Sequence, residues 1–128
     1  LLEPTSPLRE PTDIDNAFDL LNNKDVKSVV SVCKAEAFHP SFMFHINNKN
    51  YLQPLGGKQP TDLRRQSLKE IYYLEGSIYC SSIEYLRLTK TFYHNLTFPL
   101  ILPKWKSIEI DDTIDFIIAE AIIKHIKN

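Results

Sequence analysis

Little in this chain is in excess. Fifteen basic residues stand against 16 acidic ones, so no global field gathers nucleic acid or an acidic membrane surface. No apolar run approaches the roughly 18 residues of a spanning helix, and the N-terminus has neither a basic region nor a cleavable apolar core. Cysteine is scarce: Cys33 and Cys80 both fall in apolar, strand-like runs, which reads as buried reduced thiols and not a disulfide. These absences predict a cytoplasmic protein with no nucleic-acid and no membrane partner. Gly-x-Ser-x-Gly is missing too, so Ser6 has no nucleophile-elbow context, and Thr5 and Ser6 read as loop hydroxyls beside a ligand. His39, His45, His94 and His125 are irregularly spaced with no cysteine partner, so zinc is not expected.

What is present suffices for one domain. A hydrophobic content of 43% over 128 residues supports a real core. Ile14, Ala17, Phe18 and Leu21 follow helical spacing, which predicts a helix from Thr12 to about Asn22 with one buried stripe and Asp15 as a capping-box acid. Residues 26–33 are β-branched and nearly all apolar, as in a strand covered on both faces. Leu1-Leu2 reads as the tail of an apolar strand. The order strand, helix, strand then implies a βαβ unit and a parallel sheet.

Between His39 and Leu55 apolar aromatics alternate with polar residues around Asn47-Asn-Lys-Asn50, which predicts a β hairpin. An aromatic hairpin of this kind suits an interface. A loop through Gln59-Pro-Thr61 follows. Residues 76–80 form a further strand, and Ser82 caps a helix to about Lys90. Residues 97–102 make an edge or irregular strand, because Pro99 cannot donate to a ladder. Ser107–Asp111 is expected to be the last strand, and a helix from Thr113 should bury Ile114, Ile117, Ile118, Ala121 and Ile122.

The stretch Lys104-Trp-Lys-Ser-Ile-Glu-Ile-Asp-Asp-Thr-Ile-Asp115 carries the most chemistry. On a strand, Glu109 and Asp111 would leave the sheet on one face, since residues i and i+2 share a side. In open α/β sheets ligands bind beyond the carboxyl ends of the strands. Two hard oxygen ligands there suit Mg²⁺, commonly held by one or two carboxylates plus substrate phosphates. A polar strand end with Asp112 capping the next helix fits the same residues.

A second segment bears on that choice. Leu1-Leu-Glu-Pro-Thr-Ser-Pro-Leu-Arg9 resembles the acylneuraminate cytidylyltransferases, in which an apolar strand end and a Gln or Glu precede Pro-Thr-Ser-Pro-Leu-Arg. Further matches follow in the same order: Ser28-Val-Val-Ser-Val-Cys33 with His39-Pro40, then Arg64-Arg-Gln66, then Gly76-Ser-Ile-Tyr79, then the acidic pair. The resemblance covers essentially all 128 residues. It implies an α/β fold, a mainly parallel Rossmann-like nucleotidyltransferase sheet with a small hairpin excursion at residues 39–66 that serves dimerisation and sugar binding. Members begin with a Gly-rich basic loop that holds CTP, and nothing here matches it. The expectation is therefore the C-terminal half to three-fifths of a longer enzyme, inactive by itself.

The reaction implied joins CTP and a nine-carbon 2-keto sugar acid, giving a CMP-activated nonulosonic acid of sialic or legionaminic type and pyrophosphate, in a homodimer with Mg²⁺ as cofactor. The resemblance gives Asp111 and Glu109 the catalytic, metal-holding role. Glu109 is one methylene longer than the family's usual Asp, which makes Asp111 the safer ligand. Arg65 would grip the sugar carboxylate through a bidentate contact. Phe92 and Tyr93 would face the acyl group, and Tyr79, Thr5 and Ser6 would line the pocket. Glu3 stands where sialic-acid members have Gln, Glu75 where they have Asn, and Phe42 where they tend to carry Lys. That exchange favours a legionaminic-type diacetamido sugar. A shorter, octulosonate-type keto acid and a non-catalytic dimerising fragment are the alternatives.

Overall fold

The computed structural model describes residues 1–23, 25–57 and 64–126, the side chain of Arg65 excepted. The chain divides into two compact units, Leu1–Cys33 with Leu74–Asn128, and Lys34–Tyr73.

In the first unit, helix α1 (Pro11–Leu21) leads to strand β1 (Ser28–Lys34). Pro11 opens α1 at a position where its missing N–H costs nothing. The capping acid is Asp13, whose Oδ2 accepts the Glu10 N–H at 2.8 Å. Asp15 lies half a turn too far along to reach it. Ala17 is fully buried, with Ile14, Leu20 and Leu21 packed on the same core, whereas Phe18 is 53% exposed. The buried stripe thus turns through Leu20 and leaves Phe18 outside.

Strand β1 is buried from Ser28 to Cys33 because it is central. It lies between β4 (Tyr72–Ser81) and β5 (Thr97–Ile101). The β1–β5 pair is parallel, from Ser28 opposite Thr97 to Val32 opposite Ile101. Strand β4 runs the other way: Ser82 N–H bonds to Lys27 C=O, while Ile78 N–H bonds to Ser31 Oγ. Leu2 forms an antiparallel bridge to Ile78 on the opposite edge of β4. The described three-stranded sheet is therefore mixed, one pair parallel and one antiparallel where a mainly parallel sheet was expected, in an α/β chain. The Leu1–Leu2 segment and β1 share a direction, as a βαβ unit requires, but β4 is inserted between them. Pro99 sits in an edge strand, as its missing donor demands.

Helix α2 (Ile83–Thr89) is capped by Ser82, whose Oγ accepts from Tyr85 N–H, and ends on Lys90 in the left-handed region. The core gathers Ala17, Val26, Val29, Ile78, Leu100 and Leu102. Cys33 and Cys80 are both free thiols, one buried and the other half-buried. No helix among the described residues is long and apolar enough to cross a membrane.

Two expectations fail near the C-terminus. Ser107–Ile110 is not a strand. Its neighbour is the turn around Pro4, and one backbone bond forms, from Ile110 N–H to Thr5 C=O at 2.9 Å. A loop with prolines at 4 and 7 lacks the donors for a ladder. Helix α3 (Thr113–Ile126) forms as expected but buries Ala119, leaving Ile114, Ile117, Ile118 and Ala121 exposed and Ile122 half-buried. The helix is apolar nearly all round, so its pattern could not single out one inward face.

In the second unit, β2 (Phe44–Ile46) and β3 (Leu52–Pro54) form the antiparallel hairpin, with Ile46 opposite Leu52. Asn47 shapes the turn, its Oδ1 accepting from Lys49 and Tyr51 N–H groups. Asn50 takes the left-handed conformation at φ 62°. The Gln59-Pro-Thr61 loop lies outside the described residues.

Candidate functional site

The first unit brings together most of the residues singled out from the sequence. The loop after Leu2 is fixed from below by Arg9, whose Nη1 donates to Glu3 C=O at 3.0 Å and to Ser77 C=O at 2.8 Å. That fixing presents Thr5 to Glu109: Thr5 Oγ1 donates to Glu109 Oε1 at 3.3 Å. Residue 76 completes the contact. A Cβ placed on Gly76 would lie 3.0 Å and 3.1 Å from the two Glu109 carboxylate oxygens, and Gly76 itself has φ +87°. The backbone angle calls for glycine here, and a Cβ would in addition push the Glu109 carboxylate aside.

Beyond Gly76, Tyr79 packs at a tilt of 49° against Phe92 with ring centroids 5.6 Å apart and meets Tyr93 edge-on at 6.0 Å. The aromatic pair is held by buried hydroxyls, because Ser28 Oγ and Thr97 Oγ1 both donate to Phe92 C=O at 2.9 Å. Burial pushes the Tyr79 phenol well above its ordinary pKa; the Tyr93 hydrogen bond and the charges of Glu3 and Glu109 push the same way. Tyr79 is therefore a neutral phenol within electrostatic reach of two carboxylates.

Glu75 and Ser77 form a buried polar seam with β1. Ser77 Oγ lies 2.5 Å from Glu75 Oε1 and 3.2 Å from Ser31 Oγ. Glu75 is 3% exposed and its Oε2 has no partner among the described residues; Ser6 Oγ, equally buried, has none among them either. Unpaired buried polar atoms are costly, and both are sealed from solvent, so a ligand donor would reach them only if the residues covering them moved.

Asp111 is placed differently from expectation. It stands exposed ahead of α3, with its backbone N–H donating to Asp115 Oδ2 at 3.1 Å. Asp112 Oδ1 accepts from Ile114 and Asp115 N–H groups, so the helix-capping role does belong to Asp112. Without a strand, the shared-face argument for Glu109 and Asp111 lapses. What holds Glu109 is its own contact with Thr5 and Gly76. Among the described residues no cluster of three His, Cys, Asp or Glu side chains is poised for a metal. The carboxylates still fit Mg²⁺ in kind, since that ion takes one or two of them and completes its shell with water and phosphate oxygens.

Phe42 and Arg65 belong to the second unit. Phe42 packs edge-on to His39 at 6.2 Å. The backbone of Arg65 opens a short helical turn, Arg65–Ser67, and its side chain lies outside the described residues.

Three residues escaped the sequence reading. Arg9 was visible in the Pro-Leu-Arg motif but had no assigned partner. Asp13 and Lys106 form a buried ion pair, Nζ lying 2.7 and 2.8 Å from the two carboxylate oxygens. No local pattern signals a pair 93 positions apart.

No family model matches the chain. Among curated proteins it is similar to a protein named CMP-N,N′-diacetyllegionaminic acid synthase from Legionella pneumophila, 34% identical over 125 residues that cover 97% of this chain and 53% of the relative. An N-acylneuraminate cytidylyltransferase from Streptococcus agalactiae is 33% identical over 117 residues, covering 91% of this chain and 28% of the relative. Another of that name, from Escherichia coli, is 29% identical over 123 residues, 95% of this chain and 29% of its own length. The chain thus spans between about a quarter and a half of the relatives it matches.

Proposed function

From the premise that this chain is a relative of the acylneuraminate cytidylyltransferases over nearly its whole length, we propose that it is part of an enzyme making a CMP-activated nonulosonic acid. The observation that carries the reading is the convergence of Glu3, Thr5, Gly76, Tyr79, Phe92, Tyr93 and Glu109 in one unit. The fold would then be a portion of a Rossmann-like nucleotidyltransferase, in a cytoplasmic homodimer joined through the exposed hairpin.

In the proposed reaction the C2 hydroxyl of a nine-carbon 2-keto sugar acid attacks the α-phosphorus of CTP. The new P–O bond forms as the bond to pyrophosphate breaks, and the hydroxyl proton is lost. Glu109 and Asp111 would hold Mg²⁺, which supplies charge neutralisation at the phosphates and acidifies the attacking hydroxyl. Thr5 orients the Glu109 carboxylate. Tyr79, Phe92 and Tyr93 offer an apolar wall to an acyl group. Glu75 would offer its Oε2 to an amide N–H only once the residues sealing it give way on sugar binding; that would suit a diacetamido sugar and repel a nearby anion. Arg65 would orient the sugar by its carboxylate.

The test is to give the complete protein CTP with N,N′-diacetyllegionaminate, N-acetylneuraminate or an octulosonate and identify the CMP-sugar by mass. The expected outcome is product with the nine-carbon acids and a tenfold or larger kcat/KM advantage for the diacetamido sugar, about the value of one well-satisfied buried hydrogen bond. No product from either nine-carbon acid refutes the reading; product from the octulosonate alone substitutes the shorter-acid alternative.

A further inference from the structure

The two segments that carry the site are tied together a second time, away from the carboxylates. Lys106 is 6% exposed and Asp13 is 4% exposed. Besides both Asp13 oxygens, Lys106 Nζ meets Glu10 Oε2 at 2.6 Å. Asp13 sits in the first turn of α1, into which the loop of Glu3, Thr5 and Ser6 runs. Lys106 closes the short turn Lys104–Lys106, which runs directly toward Glu109.

A buried ion pair is a weak device for stability, since desolvation cancels most of its attraction. Its location here gives it another use. From Lys106 to Glu109 the chain can span at most about 10 Å, and Ser107 Oγ is tied back to Lys104 C=O at 2.8 Å. On the other side, Pro7 and Pro11 stiffen the path from Thr5 to Asp13, and Arg9 pins it to Glu3 and Ser77. Slack is small on both sides, so a shift at the pair passes on to the Thr5–Glu109 contact.

We propose that the Asp13–Lys106 pair is a positioning device for the nucleotidyl-transfer site, holding the Glu109 carboxylate against Thr5 and Gly76. The inference rests on the reading of Glu109 and Asp111 as cation ligands. The experiment uses the complete protein and the double variant D13L/K106M, which replaces both charges by apolar side chains and orphans neither; Glu10, its carboxylate half-exposed, can turn to water. Three quantities are measured: melting temperature, Mn²⁺ affinity in the presence of CTP by electron paramagnetic resonance, and turnover. The expected result is a melting temperature within a few degrees of wild type with a fivefold or larger loss of Mn²⁺ affinity and a parallel loss of turnover. A smaller loss of affinity in the folded variant overturns the proposal and leaves the enzymatic reading intact. Should the double variant not fold, the near-isosteric D13N decides by the same threshold. Wild-type protein that binds no Mn²⁺ and makes no CMP-sugar overturns the enzymatic reading itself, and the proposal with it.

Discussion

Both units leave apolar side chains exposed, the α3 isoleucines of the first among them, but only the first owns a buried core. In the first, Val29, Ile78, Leu100 and their neighbours are removed from water, and polar groups follow them inside in bonded sets: Ser31 with Ser77 and Glu75, Asp13 with Lys106. In the second, Ala35 is the one buried residue among those described, while Ile46 and Leu52 are 72% and 70% exposed. A two-stranded hairpin with that surface is marginal in water by itself. The first unit owns the means to hold a precise geometry. The second has the composition of a surface meant to be covered, in keeping with the dimer role proposed for it.

The sharpest way to break that contrast is Lys106→Met. It strands Asp13 as a buried anion beside Glu10, so unfolding titrations should show a loss of about 3–5 kcal/mol. A loss under about 1 kcal/mol would mean that the first unit does not depend on its buried charges. Next in size, Asp111→Asn in the complete protein should lower turnover roughly a hundredfold or more, the several kcal/mol a metal ligand's charge is worth. Because Asp111 is exposed, the melting temperature should stay put; turnover within a few-fold of wild type at saturating Mg²⁺ would remove its role.

Smaller again is Ile46→Asp in the hairpin. Sedimentation should show the dimer dissociating at least tenfold more readily, while unfolding of the monomer changes by no more than about 0.5 kcal/mol. A complete protein already monomeric at tens of micromolar would overturn the interface reading. The smallest effect concerns pH. Burial opposes charge on Lys106, but its hydrogen bonds to Asp13 and Glu10 outweigh that, and its pKa is raised above the ordinary 10.5. A raised folded-state pKa stabilises fully below the unfolded value and is lost as pH climbs through the folded one. Melting temperature should therefore hold to about pH 10 and fall beyond it, and the fall should be shallower in the Lys106→Met protein, where the raised Tyr79 phenol still pulls the same way.

Local patterns were legible where local physics decided them. The β-branched run of β1, the Ser82 cap, the Asn47 turn and the edge position forced by Pro99 all depend on neighbours in sequence. Of the candidate site, the motifs named residues that the fold places in contact, Thr5 with Glu109 and Tyr79 with Phe92 and Tyr93, without signalling the contacts themselves. What failed depended on distant partners. Residues 107–111 alternate like a strand, but a strand needs a neighbour with free donors, and this one met a proline-bearing turn. The α3 face was unreadable because isoleucines surround the helix. Asp13 looks like an ordinary first-turn acid until Lys106 arrives from the other end of the chain.

The near absence of glycine has a use at the bench. There are three glycines in the chain. Gly56 and Gly57 have open space where a side chain would be, whereas Gly76 faces the Glu109 carboxylate. Glycine-selective isotopic labelling would therefore give this stretch three NMR signals, one of them a built-in reporter on Glu109. Titrating cation, nucleotide or sugar into the labelled protein would then read out the chemical state of that carboxylate directly, with no probe attached and no residue changed.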